Sequence, residues 1–320
     1  MSEVDFYPEK PILATKDTKN NWSVTLSSII LFIATFLMLF DEHILFVLYL
    51  ILVLVIHEFG HFIFMRKFNY KNVKMLFVPL IGAFVQGEKN KYSQKQSILV
   101  VLGGPLPGII LGILLFLVAF QFQSKELFQI ALLFYALNVF NLLPIDPLDG
   151  GQLVRYLFMT NSDMFLFVFS LISSIIMILL GFLLESYLIM GFGFLMGIRV
   201  RNLQKKMTLY KNMEEEGLEF SKSYEDLTNK EYHLLRCYSV ENIPLLQKYF
   251  NVTEQVDEHF IASYVKSFLR TPVIKDISFI VKSIIVLLWL FVLVLVPVGV
   301  VFAFKSGYID MNWYRDVLEF

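Results

Sequence analysis

The feature that most constrains this chain is a series of long apolar runs that are almost free of charge. A helix that crosses a bilayer needs about 20 mostly apolar residues, and a helix satisfies its own backbone hydrogen bonds in lipid. Only 17% of the residues are charged, whereas soluble domains carry about 25%. We therefore predict an all-α, polytopic membrane protein. The predicted spans cover about residues 24–40, 43–65, 97–120, 126–143, 162–183, 186–200 and 279–304.

Charges in the short loops predict the orientation of these spans, because basic residues collect on the cytosolic side of a membrane. Arg66 and Lys67 follow the second span, whereas Asp41 and Glu42 separate the first two spans. This pattern places the N-terminus and the basic loops in the cytosol. We expect an integral, multi-pass protein of a bacterial or archaeal cell membrane. The net charge of −1 gives no basic field for nucleic acid, and the lone Cys237 excludes an internal disulfide.

Two segments between the spans have a different character. Residues 70–90 are too short and too polar to cross a membrane, and they predict a membrane-dipping loop with a β-like backbone. Residues 203–276 are polar, and their apolar residues recur at helical spacing, which predicts a small helical cytosolic segment. The resulting divisions are a cytosolic N-terminal segment 1–23, a membrane domain 24–202, the helical segment 203–276, a C-terminal transmembrane helix 277–304 and a tail 305–320.

A histidine pair near the end of the second span carries the first indication of chemistry. The run from His57 to His61 reads H-E-F-G-H. Positions i and i+4 share one face of a helix, so both imidazoles can bind one zinc ion. Glu58 projects to the side of that face, as suits a general base for the attacking water. The sequence therefore predicts a Zn²⁺ site toward the cytosolic side of the bilayer.

A catalytic zinc usually has three protein ligands, so a third ligand must come from another helix. The end of the fourth span reads N-L-L-P-I-D-P-L-D-G-G over residues 141–151. That span runs in the same direction as the second, which places its end at the depth of the histidines. Asp146 and Asp149 both qualify. The two glycines after Asp149 let the backbone turn sharply there, which favours Asp149 but leaves Asp146 open.

The histidine motif together with N-x-x-P-x-x-x-x-D-G at 141–150 resembles the site-2 protease family of intramembrane metalloproteases. The resemblance implies that Asp149 is the third ligand and that Asn141 holds substrate backbone or the developing oxyanion. It also implies a six-helix bundle with a catalytic core at about 43–155, to which this chain adds the seventh span. The family often has an asparagine after a Gly-Pro pair in the third span, but Leu106 follows Pro105 here.

The third span also carries Gly104, Gly108 and Gly112 at intervals of four residues. Small residues at that spacing let two helices approach closely. We therefore interpret these glycines as helix-packing positions.

These observations predict an intramembrane zinc metalloprotease that cuts a membrane-anchored protein or peptide in or near its transmembrane segment. The lipid bilayer is the other expected partner, and the oligomeric state is not determined by the sequence. Three alternatives are a metalloprotease with a soluble chamber and a glutamate ligand, a metal-binding transporter or sensor, and a catalytically silent scaffold. The presence of Glu58 argues against the transporter, and the intact ligand set argues against the scaffold.

Overall fold

The computed structural model of the protein describes residues 7–13, 22–39, 44–79, 82–122, 124–158, 163–252 and 257–305. Two apolar helices come first and are followed by a β-hairpin and a very short strand: α1 (Trp22–Leu39), α2 (Ile44–Lys67), β1 (Lys71–Val78), β2 (Gly82–Glu88) and β3 (Tyr92–Ser93). Five helices follow: α3 (Gln94–Gly103), α4 (Pro105–Phe122), α5 (Lys125–Asn141), α6 (Asp149–Phe158) and α7 (Asp163–Leu183). The rest of the chain comprises α8 (Tyr187–Glu215), a 3-10 turn (Tyr224–Asp226), α9 (Asn229–Asn242), α10 (Pro244–Val252), α11 (Glu258–Phe268), β4 (Val273–Ile274) and α12 (Phe279–Lys305).

Three of the described segments are helical, long and apolar enough to cross a membrane: Ile44–Lys67, Gln94–Phe122 and Asp163–Leu183. Shorter apolar helical stretches lie at Ser23–Met38, Glu126–Asn141 and Phe279–Leu295. Large apolar side chains such as Leu114 and Leu117 on α4 remain exposed, as expected for a surface that contacts lipid. The mainly helical membrane architecture is therefore confirmed, whereas the count of seven spans stays a prediction.

The end of the predicted membrane domain does not coincide with a break in the structure. Helix α8 contains the predicted sixth span and continues without interruption to Glu215. Residue 202 lies inside this helix, so the division between membrane domain and helical segment stays a prediction. The antiparallel pair α7 and α8 is joined by a tight turn in which Glu185 adopts a positive φ of 53°.

The β-like backbone predicted for residues 70–90 is confirmed as the antiparallel hairpin β1–β2. Helix α1 supports it, because Thr25 Oγ1 donates to the Met75 carbonyl at 2.9 Å. The apolar side chains Met75 and Phe77 point into a buried cluster with Phe32 and Val47. The hairpin is therefore fixed against the helices rather than free. Its depth in the membrane stays a prediction.

The polar segment after α8 folds around its own apolar core, which includes Tyr232, Leu235, Ile261 and Val265. Helix α9 begins with the capping box of Thr228 and Glu231, which satisfies backbone N–H groups at the helix start. The segment is mainly helical, as predicted, but it also contains the short strand β4, which pairs in parallel with β3. Two residues are too few to show strand alternation in a sequence, so β4 was not predictable.

Candidate metal centre

The two histidines of α2 and the aspartate at the start of α6 converge on one point. The four-residue spacing between His57 and His61 places their imidazoles on the same helical face, with the two Nε2 atoms 3.2 Å apart. Asp149 Oδ2 lies 3.0 Å from the Nε2 of His57 and 3.2 Å from the Nε2 of His61. All three side chains are buried, and their candidate ligand atoms lie within 4.8 Å of one another.

The second nitrogen of each imidazole is held by an oxygen atom. His57 Nδ1 lies 2.8 Å from Asn138 Oδ1, and His61 Nδ1 lies 2.8 Å from the carbonyl oxygen of Val100. Asn138 Nδ2 donates to the Phe134 carbonyl at 2.6 Å, which fixes the orientation of the amide. The amide oxygen and the carbonyl oxygen have no hydrogen to donate. Each Nδ1 therefore carries the proton and donates it. Each Nε2 therefore presents a lone pair toward the other imidazole and Asp149.

The donor set of His57, His61 and Asp149 has the chemistry of a zinc site. Two imidazole lone pairs and a carboxylate face one another, and such an arrangement is repulsive unless a cation lies between them. Asp149 Oδ2 is buried and makes no hydrogen bond of acceptable geometry, although two imidazole nitrogens lie close to it. Two histidines and one carboxylate form a common ligand set of catalytic zinc sites. The residues present therefore fit zinc, and Asn138 and Val100 supply the outer hydrogen bonds that metal-binding histidines usually have.

Glu58 follows His57 on α2 and is only 5% exposed. Its Oε2 atom is buried and has no hydrogen-bond partner among the described residues. The backbone of Val85 in β2 lies beside its carboxyl group. A buried carboxylate with one unbonded oxygen atom, next to the convergent ligand atoms, lies where a proton acceptor for a water molecule is required.

The structure separates the two carboxylates that the sequence left as alternatives. Asp149 lies beside the histidines, whereas Asp146 faces α7 and α8. Ser170 Oγ donates to Asp146 Oδ2 at 2.8 Å, and Arg199 lies 3.2 Å from its Oδ1. The backbone N–H of Asp146 donates to Ser173 Oγ at 3.0 Å. Asp146 therefore anchors the loop that precedes α6, and the loop presents Asp149 to the histidines.

Asn141 is the last residue of α5 and is half-buried. Within the described part of the chain it makes no hydrogen bond with His57, His61 or Asp149. The structure thus brings the two histidines, Glu58 and Asp149 together, and it leaves the role of Asn141 as a prediction.

Two of the glycines interpreted as helix-packing positions make room for the site itself. A Cβ atom on Gly104 would lie 2.2 Å from His61 Nε2, and one on Gly108 would lie 2.1 Å from Asn138 Nδ2. Any side chain at these positions would displace the imidazole or the amide. Gly112, by contrast, faces the backbone of α5 and serves close helix approach.

Asn138 contacts the site through a side chain that the motifs in the sequence do not indicate. Its side chain is fully buried, and it lies one helical turn before Asn141 on α5. The available signal was a polar amide inside an otherwise apolar span, because such residues are rare in membranes unless they have a partner. The sequence alone does not say which of the two asparagines faces the histidines.

Known proteins have sequences similar to part of this chain. Residues 45–131 match the model of Peptidase family M50. The chain is 32% identical over 106 residues to a zinc metalloprotease of Methanocaldococcus jannaschii. The aligned residues make up 32% of this chain and 30% of that protein. It is 33% identical over 134 residues to stage IV sporulation protein FB of Bacillus subtilis. This alignment covers 40% of this chain and 45% of that protein. The chain thus spans less than half the length of these relatives.

The structure is also similar to that of a site-2 protease from Methanocaldococcus jannaschii. The similarity covers 55% of this chain and 87% of that one, with 23% sequence identity and a TM-score of 0.43. The family model and the two sequence relatives confirm the resemblance to the site-2 protease family that was predicted from residues 57–61 and 141–150.

Proposed function

We propose that this chain, whose residues 45–131 match Peptidase family M50, is an intramembrane zinc metalloprotease. Its substrate would be a membrane-anchored protein or peptide, cut in or near the transmembrane segment. The observation that carries this proposal is the convergence of His57, His61 and Asp149 beside the buried carboxylate of Glu58, whose Oε2 has no hydrogen-bond partner among the described residues. A metal-binding transporter needs the ligands but has no use for such a base.

In this proposal His57, His61 and Asp149 hold the ion. A bound zinc would act as a Lewis acid toward the scissile carbonyl and would make water acidic enough to lose a proton near neutral pH. Asn138 and the Val100 carbonyl keep both Nδ1 atoms protonated, so that both Nε2 lone pairs stay available.

The protein's own residues would carry the proton and the charge during hydrolysis. Glu58 would accept a proton from the attacking water and deliver it to the leaving amine, so that the amide C–N bond breaks as the new C–O bond is retained. Asn141 would donate its amide N–H to the substrate backbone or to the developing oxyanion. The site would open toward the cytosol, which supplies the water.

The hairpin offers a place for the substrate backbone. Among the described residues β2 pairs only with β1, so its other edge is unpaired. The same strand lies beside Glu58 through Val85. A helical substrate must unwind before its peptide bond can be attacked, because its backbone groups are otherwise closed by hydrogen bonds. The unwound segment would add to β2 as a strand.

The metal assignment is tested by the zinc content of the purified full chain and by its cleavage of a model single-span substrate. Zinc should be near one ion per chain, be lost in Asp149→Ala and be retained in Glu58→Gln, in which cleavage should stop. Asp146→Asn is the matched carboxylate control, because it keeps an acceptor for Ser170. Cleavage that survives Glu58→Gln would refute the proposal, and a zinc-loaded wild type that cuts nothing would favour the scaffold.

The strand-addition step has its own test. Single proline substitutions over 82–86, leaving out Val85 because its backbone contacts Glu58, remove N–H groups that alternately face β1 and the free edge. Variants that lose a free-edge N–H should keep their zinc and lose cleavage. If every zinc-loaded proline variant cuts as well as the wild type, the substrate does not pair with β2.

A further inference from the structure

We infer that Trp289 on α12 is a positioning residue for the loop that carries Asp149. The inference rests on the proposed function, because it assigns the last helix to the framework of that site. Helix α12 lies outside residues 45–131, which match the family model, and its sequence indicates no role beyond that of a membrane span.

The contact that carries the inference is one buried hydrogen bond. The indole Nε1–H of Trp289 donates to the carbonyl oxygen of Leu142 at 2.8 Å. Trp289 is 8% exposed and Leu142 is 1% exposed. Leu142 is the C-cap of α5, and the last carbonyls of a helix have no partner within that helix. Trp289 therefore satisfies a buried acceptor at the point where α5 ends and the loop begins.

The same carbonyl oxygen lies against the backbone at the start of α6. A Cβ atom on Gly150 would lie only 2.0 Å from the Leu142 oxygen, so the start of α6 is seated directly against the end of α5. Gly150 follows Asp149 in the chain. A shift of the Leu142 carbonyl would therefore move the backbone beside Asp149, and the carboxylate would leave the point where the imidazoles converge.

Helix α12 is itself fixed to the part of the fold that carries the other ligands. Just before α12, Asp276 Oδ1 accepts from the backbone N–H of Lys95 at 2.9 Å, and its Oδ2 accepts from Ser93 Oγ. Both donors lie at the start of α3, which also carries Val100, the acceptor for His61. Trp289 then packs with Leu142 and Leu153 in one buried cluster. The segment that contains α12 is thus held at two points. One is at the start of α3, which leads to the His61 contact, and the other is at the end of α5, close to Asp149.

The experiment compares Trp289→Phe, which keeps an aromatic ring and removes the donor, with Phe291→Leu on the same helix. Phe291 is 61% exposed and makes a matched control for aromatic loss. Zinc affinity of the full chain in detergent is measured by chelator competition, together with kcat and KM for the model substrate. We expect Trp289→Phe to weaken zinc binding by about tenfold and to lower kcat, with KM unchanged. The control should behave as the wild type.

A second readout does not depend on metal. Amide hydrogen exchange over residues 143–151 is measured in the metal-free full chain, and we expect faster exchange in Trp289→Phe than in the control. Wild-type zinc affinity together with wild-type exchange in Trp289→Phe would overturn the inference. A wild type that binds no zinc would refute the proposed function alone, because the exchange measurement still decides whether Trp289 positions the loop.

Discussion

Replacement of Asn138 by leucine tests how the histidines are prepared for a metal. Asn138 is fully buried, and its Oδ1 is the acceptor for His57 Nδ1 at 2.8 Å. Leucine has a similar size and no acceptor. The Nδ1–H of His57 would then be buried without a partner, or the proton would move to Nε2 and occupy the lone pair that binds the ion. The first outcome removes the acceptor that orients the imidazole and makes it a stronger ligand, and the second blocks the ligand atom. Each of them weakens metal binding.

The magnitude follows from the burial of the bond. A buried donor left unsatisfied costs about 1–3 kcal/mol, which corresponds to about 5- to 150-fold in an equilibrium constant. Loss of an outer hydrogen bond to a metal-binding histidine typically reduces affinity by about 10- to 100-fold. The two ranges overlap, so we expect Asn138→Leu to raise the zinc dissociation constant by about 10- to 100-fold.

The assay is chelator competition for zinc with the purified full chain, supported by the thermal midpoint of the metal-free protein. Asn138→Asp keeps an acceptor at the same position and should retain most of the affinity. Phe140→Ala, on the exposed side of the same helix, controls for a general effect on α5. The reasoning is refuted if Asn138→Leu folds normally and binds zinc within twofold of the wild type.

Further predictions concern three other contacts. Gly104→Ala should abolish zinc binding, because its Cβ would lie 2.2 Å from His61 Nε2, whereas Gly191→Ala, which meets nothing within 4 Å, should bind zinc normally. Arg199→Met removes the partly exposed cation that pairs with the buried carboxylate of Asp146. The thermal midpoint should fall by an amount that corresponds to about 1 kcal/mol of stability, and the zinc content should not change. Lys10 Nζ donates to three backbone carbonyls of the helical segment, so Lys10→Met should increase proteolysis near the N-terminus; equal rates would show that this docking is weak.

The histidine pair could be predicted from the sequence because its geometry is local. A spacing of four residues places two side chains on one helical face wherever that helix lies. The membrane setting was equally local, since it depends on the length of apolar runs. The β-like backbone of residues 70–90 was also predicted from local features, because that segment is too short and too polar to cross a membrane; its pairing as a hairpin came from the structure.

The separate placements of Asp146 and Asp149 required the folded chain. The two residues lie in and after a loop with two prolines, where no regular period relates one side chain direction to the next. Ser170 and Arg199 hold Asp146 on one side, and that leaves Asp149 to face the histidines. These partners are distant in sequence and close only after α7 and α8 have packed.

The sequence by itself determined the apolar helices, the two histidines on one face and the glutamate beside them, because each depends on residues within a few turns of one another. Only the tertiary structure showed that Asp149 lies beside the histidines while Asp146 faces α7 and α8, that Asn138 and Val100 hold the imidazoles, and that Trp289 reaches the end of α5. These contacts join residues separated by 81, 39 and 147 positions. The reason is physical: helical periodicity relates only near neighbours along the chain, whereas the packing of different helices determines which distant polar groups meet.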